Sequence, residues 1–320
     1  MRQSELAAAG VFDVRLRASY RHCRELNAQH GRTFFLATRL LAPWQRPAIH
    51  ALYGFARRAD DILDDFDQGL DTATRARRLE QLAGQFFDGG EHLDDPVLAA
   101  VLHTARTYGI SADLFSDFLA SMRMDLTVTD YPDRAALNRY MHGSAEVIGL
   151  QLLPVLGTVG PVGTTAPYAA ALGRAFQLTN FLRDVDDDLQ RNRIYLPADE
   201  LAVFKVDRDV LNWCHQHRRT DPRVRRALAA QLEITRDVYR FARKGVALLA
   251  PRSRPCVTTA LTLYSEILDR IEDCDFAVFS RRANVSKVRR LSVAGAGLAR
   301  AWWARRAEPG RPIDSTVGAA

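Results

Sequence analysis

The segment FQLTNFLRDVDDDLQ, residues 176–190, carries a narrow polar stripe on an otherwise apolar helical pattern. At 100° per residue, Gln177, Asn180, Asp184 and Asp188 fall on one side, because their spacings are three, four and four. Leucine and valine occupy the adjacent side. A surface helix would carry a broad polar face instead. The pattern therefore predicts a helix within an all-α bundle that turns its 177–188 stripe toward an internal polar cavity.

A second stripe lies in YGFARRADDILDD, residues 53–65. Tyr53, Arg57, Asp60 and Asp64 follow one another at spacings of four, three and four, beside an apolar arc. Two carboxylates at positions i and i+4 lie about 5–6 Å apart at Cβ. Each pair of aspartates can therefore converge on one hard cation, and we expect the 53–64 stripe to face the same cavity.

The ligand types in the two stripes indicate a phosphate-assisted magnesium site. Carboxylate and amide oxygens suit Mg²⁺, which usually keeps open positions for water and substrate phosphate. Arginines flank both stripes, and a guanidinium matches phosphate oxygens. HGRTFF, residues 30–35, adds His30, Arg32 and Thr33 where a helix begins and can hold an anion. An acidic cluster is often only a solvated face or a helix cap, but two such stripes with arginines favour a site.

Composition limits the class of protein. The chain has 320 residues, 47% of them hydrophobic and 26% charged, which is typical of a globular domain. Four dispersed cysteines without a C-x-x-C motif exclude a zinc ribbon and predict reduced thiols in a cytoplasmic protein. Aspartate supplies 28 of the 38 acidic residues, and its clustering suggests ligation. The net charge of +6 comes without a nucleic-acid recognition motif, so no nucleic-acid partner is expected.

Helical periodicity runs through almost the whole chain, and no alternating strand pattern interrupts it. No signal peptide is predicted, because residues 1–10 lack a basic flank followed by an apolar core. No membrane span is predicted, because the apolar stretch 147–162 is broken by Gln, Pro and Gly. We predict one domain over 15–308, after an N-terminal segment 1–14 and before a disordered tail 309–320. His215 and His217 are predicted to be surface residues. The expected helices cover 15–30, 44–66, 72–88, 96–108, 111–127, 133–158, 164–190, 207–218, 222–249, 254–274 and 286–305.

Several longer segments resemble the squalene and phytoene synthase family of head-to-head prenyl synthases, and most closely its bacterial phytoene synthase members. QLTNFLRDVDDDLQRNRIYLP, residues 177–197, is the most specific of them. The others are HGRTFFLATRLLAPWQRPAIHALYGFARRADDILDD at 30–65, MRMDL at 122–126, YMHGSAEVIGLQLLPVLG at 140–157 and YSEILDRIEDCDFAVFSRRANVS at 264–286.

This resemblance implies an all-α, isoprenoid-synthase-type helical bundle around a central cavity. It also implies that a Mg²⁺ cluster, or Mn²⁺ in its place, is held against two prenyl diphosphates. The metal ligands it implies are Asp60, Asp64, Asn180, Asp184 and Asp188. The implied substrate-binding residues are His30, Arg32, Thr33, Arg57, Gln177, Asn180, Arg183, Arg193, Tyr195 and Arg281, with Phe34 against the prenyl chain. Tyr53, Tyr140 and Tyr264 are implied near the reacting centre.

The activity implied by the resemblance is condensation of two geranylgeranyl diphosphates to phytoene through a cyclopropylcarbinyl diphosphate, the first step of carotenoid biosynthesis. Downstream carotenoid enzymes are then expected partners. The same chemistry on two farnesyl diphosphates would give dehydrosqualene, presqualene diphosphate or squalene. No nicotinamide cofactor, which squalene formation needs, is expected. A head-to-tail prenyltransferase, a terpene cyclase and a non-catalytic assembly factor of the same fold remain alternatives.

Two departures from the family pattern and one C-terminal segment complete the predictions. Gly31 stands where many members have Ser, which would remove one phosphate hydroxyl. Glu146 stands where Gly is common, so it either faces the cavity or turns outward. The segment 287–307 mixes arginine with leucine and tryptophan, and is either a peripheral membrane contact or a packed final helix with a solvated basic face.

Overall fold

Helices supply nearly all the regular structure of residues 3–64, 70–89 and 94–307, the parts of the chain that the computed structural model describes. The α-helices are α1 (Gln3–Ala8), α2 (Val14–His30), α3 (Arg32–Thr38), α4 (Arg46–Asp64), α5 (Thr72–Asp88), α6 (Pro96–Tyr108), α7 (Ala112–Met124), α8 (Arg134–Met141), α9 (Val147–Leu156), α10 (Val162–Arg183), α11 (Val185–Gln190), α12 (Ala198–Val203), α13 (Arg208–His217), α14 (Pro222–Lys244), α15 (Arg254–Asp273) and α16 (Lys287–Ala307). A π-helical turn, His142–Glu146, joins α8 to α9, and a 3₁₀ turn, Gly245–Leu248, follows α14. The predicted all-α fold is confirmed.

Aspartate begins many of the described helices. Asp95 is typical, because its carboxylate accepts the backbone N–H groups of Val97 and Leu98 and so satisfies donors that the first turn leaves open. The same capping is made by Asp13, Asp71, Asp133, Asp207 and Asp221. Helix capping therefore accounts for part of the aspartate excess that the sequence suggested was for ligation.

Two of the predicted long helices are divided. The predicted helix 133–158 contains the π-helical turn, and the predicted helix 164–190 breaks at Asp184, whose φ of −106° and ψ of 16° are not helical. Both breaks lie beside the site described below. The short helices α1 and α12 were not predicted, α3 was expected only as a helix start near residues 30–33, and the expected tail 309–320 lies outside the described residues.

Helices α4 and α10 are the two elements that carry the polar stripes. Helix α10 packs against α9, α14 and α15, while α4 packs against α2 and α6. A phenylalanine cluster of Phe55, Phe86 and Phe115 fixes α4 against α5 and α7, with ring centroids 4.5–5.5 Å apart. Burial of these rings in the core leaves the opposite side of α4 to face α10 across a cavity.

The remaining predictions about the whole chain concern its thiols and membrane segments. All four cysteines are free thiols. Among the described helices, none has the length and apolar character needed to cross a bilayer. Helix α1 packs against α4, and its Leu6 is fully buried. The division of the chain at residues 14 and 308 stays a prediction.

Candidate functional site

One cavity of about 510 Å³ between α4 and α10 is lined by Arg57 and Asp60 of the first stripe and by Gln177, Asn180, Asp184 and Asp188 of the second. This cavity brings together residues that are up to 234 positions apart in the sequence. Its lining includes most of the predicted site residues, namely His30, Arg57, Asp60, Tyr140, Gln177, Asn180, Arg183, Asp184, Asp188, Arg193, Tyr195 and Tyr264. Asp64 belongs to α4, but its side chain lies outside the described residues, as does the side chain of Arg32.

The break at Asp184 preserves the spacing of the second aspartate pair. The Asp184 N–H still donates to the Asn180 carbonyl at 2.8 Å, and the Asp188 N–H donates to the Asp184 carbonyl at 2.8 Å. The chain therefore continues into α11 with one helical turn between the two carboxylates. Both carboxylates line the polar cavity even though they do not share one continuous helix.

Two arginines hold Asp184. Its carboxylate accepts 2.8 Å hydrogen bonds from the Nε atoms of Arg183 and Arg282, and Arg282 donates a second bond at 2.9 Å. Burial alone would raise the pKa of Asp184, but these two guanidiniums outweigh it and lower the pKa. Arg282 lines neither cavity among the described residues, but it bonds a carboxylate that does; the sequence pointed instead to Arg281, which is also exposed and outside both linings. The structure favours its neighbour Arg282.

The pKa of Asp188 is shifted in the opposite direction to that of Asp184. Burial, together with the negative charge of nearby Asp184, raises the pKa of Asp188 to about 7. Asn180 is close in the same stripe, and its Oδ1 atom is buried without a hydrogen-bond partner in the described part of the chain. A buried amide oxygen and a carboxylate that resists ionisation are groups that a hard cation would satisfy. Among the described residues, no group of three or more His, Cys, Asp or Glu side chains is arranged to hold a metal ion.

The 53–64 stripe contributes a phenol, a guanidinium and a carboxylate. Arg57 forms an ion pair with Asp61, one residue beyond Asp60, and stays at the cavity wall. Burial raises the pKa of Tyr53 to about 12, so its phenol is neutral. The Tyr53 ring stacks on Phe34 with centroids 5.5 Å apart.

Gly31 is explained by close packing. A Cβ atom at this position would lie 2.3 Å from Asn27 Oδ1 and 3.0 Å from the Tyr53 ring. A serine side chain therefore has no room in this chain, and the departure at Gly31 supports the position of Tyr53. The neighbouring Thr33 lines neither cavity among the described residues.

A third carboxylate, Asp125, was quoted in MRMDL but was not predicted as a site residue. Tyr140 donates to it at 2.9 Å, Tyr195 donates at 3.4 Å, and the Arg193 guanidinium lies 3.8 Å away. Burial raises the pKa of Tyr140 and Tyr195, which keeps both as neutral hydrogen-bond donors. The signal for Asp125 was its place in a segment that carries the family resemblance. Its partners became visible only in three dimensions.

An apolar cavity of about 290 Å³ adjoins the polar one. Its walls are mostly aliphatic and aromatic, with Phe34, Tyr53 and Phe176 among them. Tyr264 stands at the junction, stacked on Phe176 with centroids 4.3 Å apart, and burial raises its pKa. The residues that line both cavities are Ala56, Ser144, Ile148, Gln177 and Tyr264. An anionic head and a hydrocarbon tail can therefore occupy adjoining compartments.

Of the two histidines predicted at the surface, His217 is exposed, whereas His215 is partly buried. His215 was expected to be a surface residue, but its Nδ1 atom lies 2.6 Å from the buried carboxylate of Asp186. Arg218 donates to the other oxygen of Asp186 at 2.6 Å. Asp186 therefore ties α11 to α13, while Asp184 and Asp188 in the same D-V-D-D-D run face the cavity. Its partners lie about 30 residues away, which the local pattern could not reveal.

Comparison with known proteins gives consistent matches over most of the chain. The sequence profile of the squalene/phytoene synthase family matches residues 27–289. A phytoene synthase from Arthrospira platensis is 37% identical over 280 residues, covering 83% of this chain and 88% of that protein. Chloroplastic phytoene synthase 3 from Zea mays is 35% identical over 306 residues, covering 91% of this chain and 70% of that protein.

Solved structures show the same fold. A dehydrosqualene synthase in complex with a ligand superposes with a TM-score of 0.79 at 25% identity, covering 89% of this chain and 96% of that chain. The squalene synthase HpnC from Alicyclobacillus acidocaldarius superposes with a TM-score of 0.73 at 25% identity, covering 84% and 98% of the two chains. The helical bundle around a cavity is therefore an architecture shared with prenyl synthases.

Proposed function

This chain belongs to the squalene/phytoene synthase family, and from that premise we propose that it is a prenyltransferase that condenses two geranylgeranyl diphosphates head to head to give phytoene. One observation carries the proposal. Asp60 of α4 and Asp184 and Asp188 of the α10–α11 segment line a single polar cavity, which adjoins an apolar one. Such a pair of compartments suits a substrate with a diphosphate at one end and a hydrocarbon at the other.

The proposed reaction has two balanced halves. In the first, the C–O bond of one substrate ionises, and the double bond of the second attacks the allylic cation, which forms a cyclopropylcarbinyl diphosphate with loss of one diphosphate and one proton. In the second, this intermediate loses its diphosphate, rearranges and releases another proton to form a conjugated triene. Phytoene formation consumes no reductant.

The oxygen donors of the polar cavity fit Mg²⁺, with Mn²⁺ as the alternative. Asp60, Asn180, Asp184 and Asp188 would hold the ions, together with Asp64. Bound divalent cations would draw charge from the leaving diphosphates and so lower the barrier to ionisation. The unpartnered Asn180 oxygen and the raised pKa of Asp188 support this assignment.

The protein's own cations and phenols have separate roles in the proposal. Arg57, Arg183 and Arg193 line the polar cavity and Arg282 bonds its Asp184, and these arginines would orient the diphosphates through charge-assisted hydrogen bonds. His30, Gln177 and Tyr195 add further polar contacts in the same cavity. The buried Tyr264 stays protonated, so at the junction it can donate a hydrogen bond but cannot act as a phenolate base. The apolar walls exclude water from the cations.

The identity of the prenyl chain rests on the relatives. Proteins named phytoene synthase match at 35–37% identity, which favours the C20 substrate, whereas the similar fold of a dehydrosqualene synthase fits the C15 alternative. Labelled farnesyl and geranylgeranyl diphosphates should be offered separately with Mg²⁺, with and without NADPH. We expect phytoene from the C20 substrate without NADPH. Efficient turnover of only the C15 substrate, or dependence on NADPH, would refute the proposed substrate and product.

Site-directed variants separate catalysis from a non-catalytic role of the fold. Asp184→Asn should abolish turnover, because it removes a buried cavity carboxylate. Asp187→Asn is the matched control, since that side chain is half exposed and lies beside the same segment. Equal, full activity of both variants would exclude the proposed enzyme site.

Helix α16 supports a peripheral membrane contact and, with it, a cytoplasmic location at a membrane surface. Val293, Ala294, Gly297 and Ala301 are buried, whereas Trp302 and Trp303 are 49% and 70% exposed beside Arg306, whose guanidinium carbon lies 3.6 Å from the centre of the Trp302 ring. Exposed tryptophans with basic residues are typical of interfacial helices. Wild-type protein should sediment with vesicles that contain anionic lipid, and the double variant Trp302→Ala/Trp303→Ala should not. Equal sedimentation would contradict this contact.

A further inference from the structure

The π-helical turn between α8 and α9 is an irregular element at the wall of the junction. The Val147 N–H donates to the His142 carbonyl, so the turn spans five residues instead of four. Such turns are rare and are found mostly at functional sites. Tyr140, Ser144 and Ile148 line the polar cavity, and Ser144 also lines the apolar one. The conformation of this turn therefore decides which side chains meet a bound substrate.

Backbone contacts enclose the turn on two sides. On the α7 side, a Cβ atom at Gly143 would lie 2.1 Å from the Asp117 carbonyl oxygen, and Ser121 Oγ donates to the Tyr140 carbonyl at 2.9 Å. On the α10 side, a Cβ atom at Gly173 would lie 2.2 Å from the Ala145 carbonyl oxygen. These contacts allow no lateral shift, but they do not by themselves fix the rotation of the turn about its axis.

Side chains of the turn supply a rotational constraint. Glu146 is buried, and its carboxylate accepts a 2.6 Å hydrogen bond from Arg174 Nε and a 3.1 Å bond from His142 Nδ1. His142 Nε2 in turn lies 3.5 Å from the Asp117 carboxylate on α7. Glu146 thus turns away from both cavities and links the turn to α10. Its occurrence in place of the usual Gly adds a clamp, which we define as Glu146, Arg174 and His142.

We propose that the Glu146 clamp is a positioning device that sets the rotation of the π-helical turn and thereby the place of Ser144 and Tyr140 at the reacting centre. The inference rests on the head-to-head condensation proposed above. Relaxation of a five-residue turn to an α-turn rotates the following residues by about 100°. That rotation would displace Ser144 and Tyr140 relative to Ile148, which follows the turn and lines the same junction. The Glu146–Arg174 ion pair opposes it, because any rotation would separate two charge-assisted partners.

Kinetics of three variants test the positioning role. Glu146→Ala should lower kcat at least ten-fold with KM within two-fold of wild type, because the diphosphate contacts on α4 and α10 remain. It should also release more of the cyclopropylcarbinyl diphosphate intermediate. Glu146→Gln should recover kcat to within about three-fold, since its amide oxygen still accepts from Arg174. Glu200→Gln is the matched control, because it weakens a partly buried pair with Arg134 that touches neither cavity.

Backbone hydrogen exchange provides a readout that does not depend on activity. Glu146→Ala should speed exchange in the peptide 142–149 at least ten-fold and leave peptides of α14 unchanged. If Glu146→Ala had the same hydrogen-exchange rates and the same kcat as the wild-type protein, the proposal would be overturned. The proposal would also be overturned if Glu146→Ala lost only as much thermal stability as Glu200→Gln does, while its kcat and product ratio per folded molecule stayed unchanged. If wild-type protein forms no hydrocarbon, the proposed function fails, and the exchange result alone then decides the clamp.

Discussion

The contact between α10 and the π-helical turn leads to a sharp prediction for Gly173→Ala. Gly173 lies in the interior of α10 and lines the apolar cavity. A methyl group there would sit 2.2 Å from the Ala145 carbonyl oxygen, where ordinary van der Waals contact begins at 3.4 Å. Helix α10 and the π-helical turn must therefore separate by about 1 Å to accept the alanine, because a densely packed core has no room for the extra methyl group.

Two opposing free-energy terms set the expected effect on stability. Alanine gains about 0.5–1 kcal/mol over glycine in a helix interior. Overpacking costs about 1–3 kcal/mol. We therefore expect the free energy of unfolding to fall by about 1–2 kcal/mol. The effect on catalysis should be larger, because a shift of about 1 Å in catalytic positions can lower the rate about 100-fold, and α10 carries Gln177 and Asn180.

Gly84→Ala is the matched control, because Gly84 lies within α5 and nothing within 4 Å would meet its Cβ atom. Urea unfolding and steady-state turnover should be measured for both variants. We expect Gly84→Ala to raise the free energy of unfolding by about 0.5–1 kcal/mol without changing turnover. If Gly173→Ala were equally stabilised and fully active, the close approach of α10 to the turn would be wrong.

Three further predictions concern single side chains. Arg282→Ala should raise the KM for prenyl diphosphate about ten-fold, the effect expected for one charge-assisted hydrogen bond. In the control Arg281→Ala, KM should stay within two-fold of wild type. Equal KM values for the two variants in steady-state kinetics would refute the preference for Arg282. Tyr140→Phe removes the 2.9 Å bond to Asp125 and should lower the free energy of unfolding by about 1–2 kcal/mol, which chemical denaturation would test. Burial, and then nearby arginine charge, lowers the pKa of His50 to about 3. The neutral imidazole should therefore leave the free energy of unfolding unaffected above about pH 6.5, where His is neutral in the unfolded chain too. Below about pH 6.5 it should lower that free energy by about 1.4 kcal/mol per pH unit, because only the unfolded chain binds the proton. His50→Gln should reduce the acid-limb slope by one proton, and an unchanged slope would contradict the buried neutral imidazole.

The amino-acid sequence determined the helical class and the composition of the polar stripes. Period-3.6 hydrophobicity is a local property, so it marks the apolar side of α4 whatever surrounds that helix. The same periodicity placed Gln177, Asn180, Asp184 and Asp188 on one side of a helix. The family segments in turn indicated that two aspartate pairs act together, and Asp60 of the first pair lines the same cavity as Asp184 and Asp188 of the second.

Contacts between distant segments were decided only by the tertiary structure. Whether Arg281 or Arg282 reaches Asp184 depends on where the chain after α15 passes α11, a position set by packing. Glu146 could face the cavity or turn away until Arg174, on another helix, supplied its partner. Periodicity specifies a direction around one helix axis, whereas ion pairs and cavities depend on the relative placement of several helices. The packed core fixes that placement, and no local pattern encodes it.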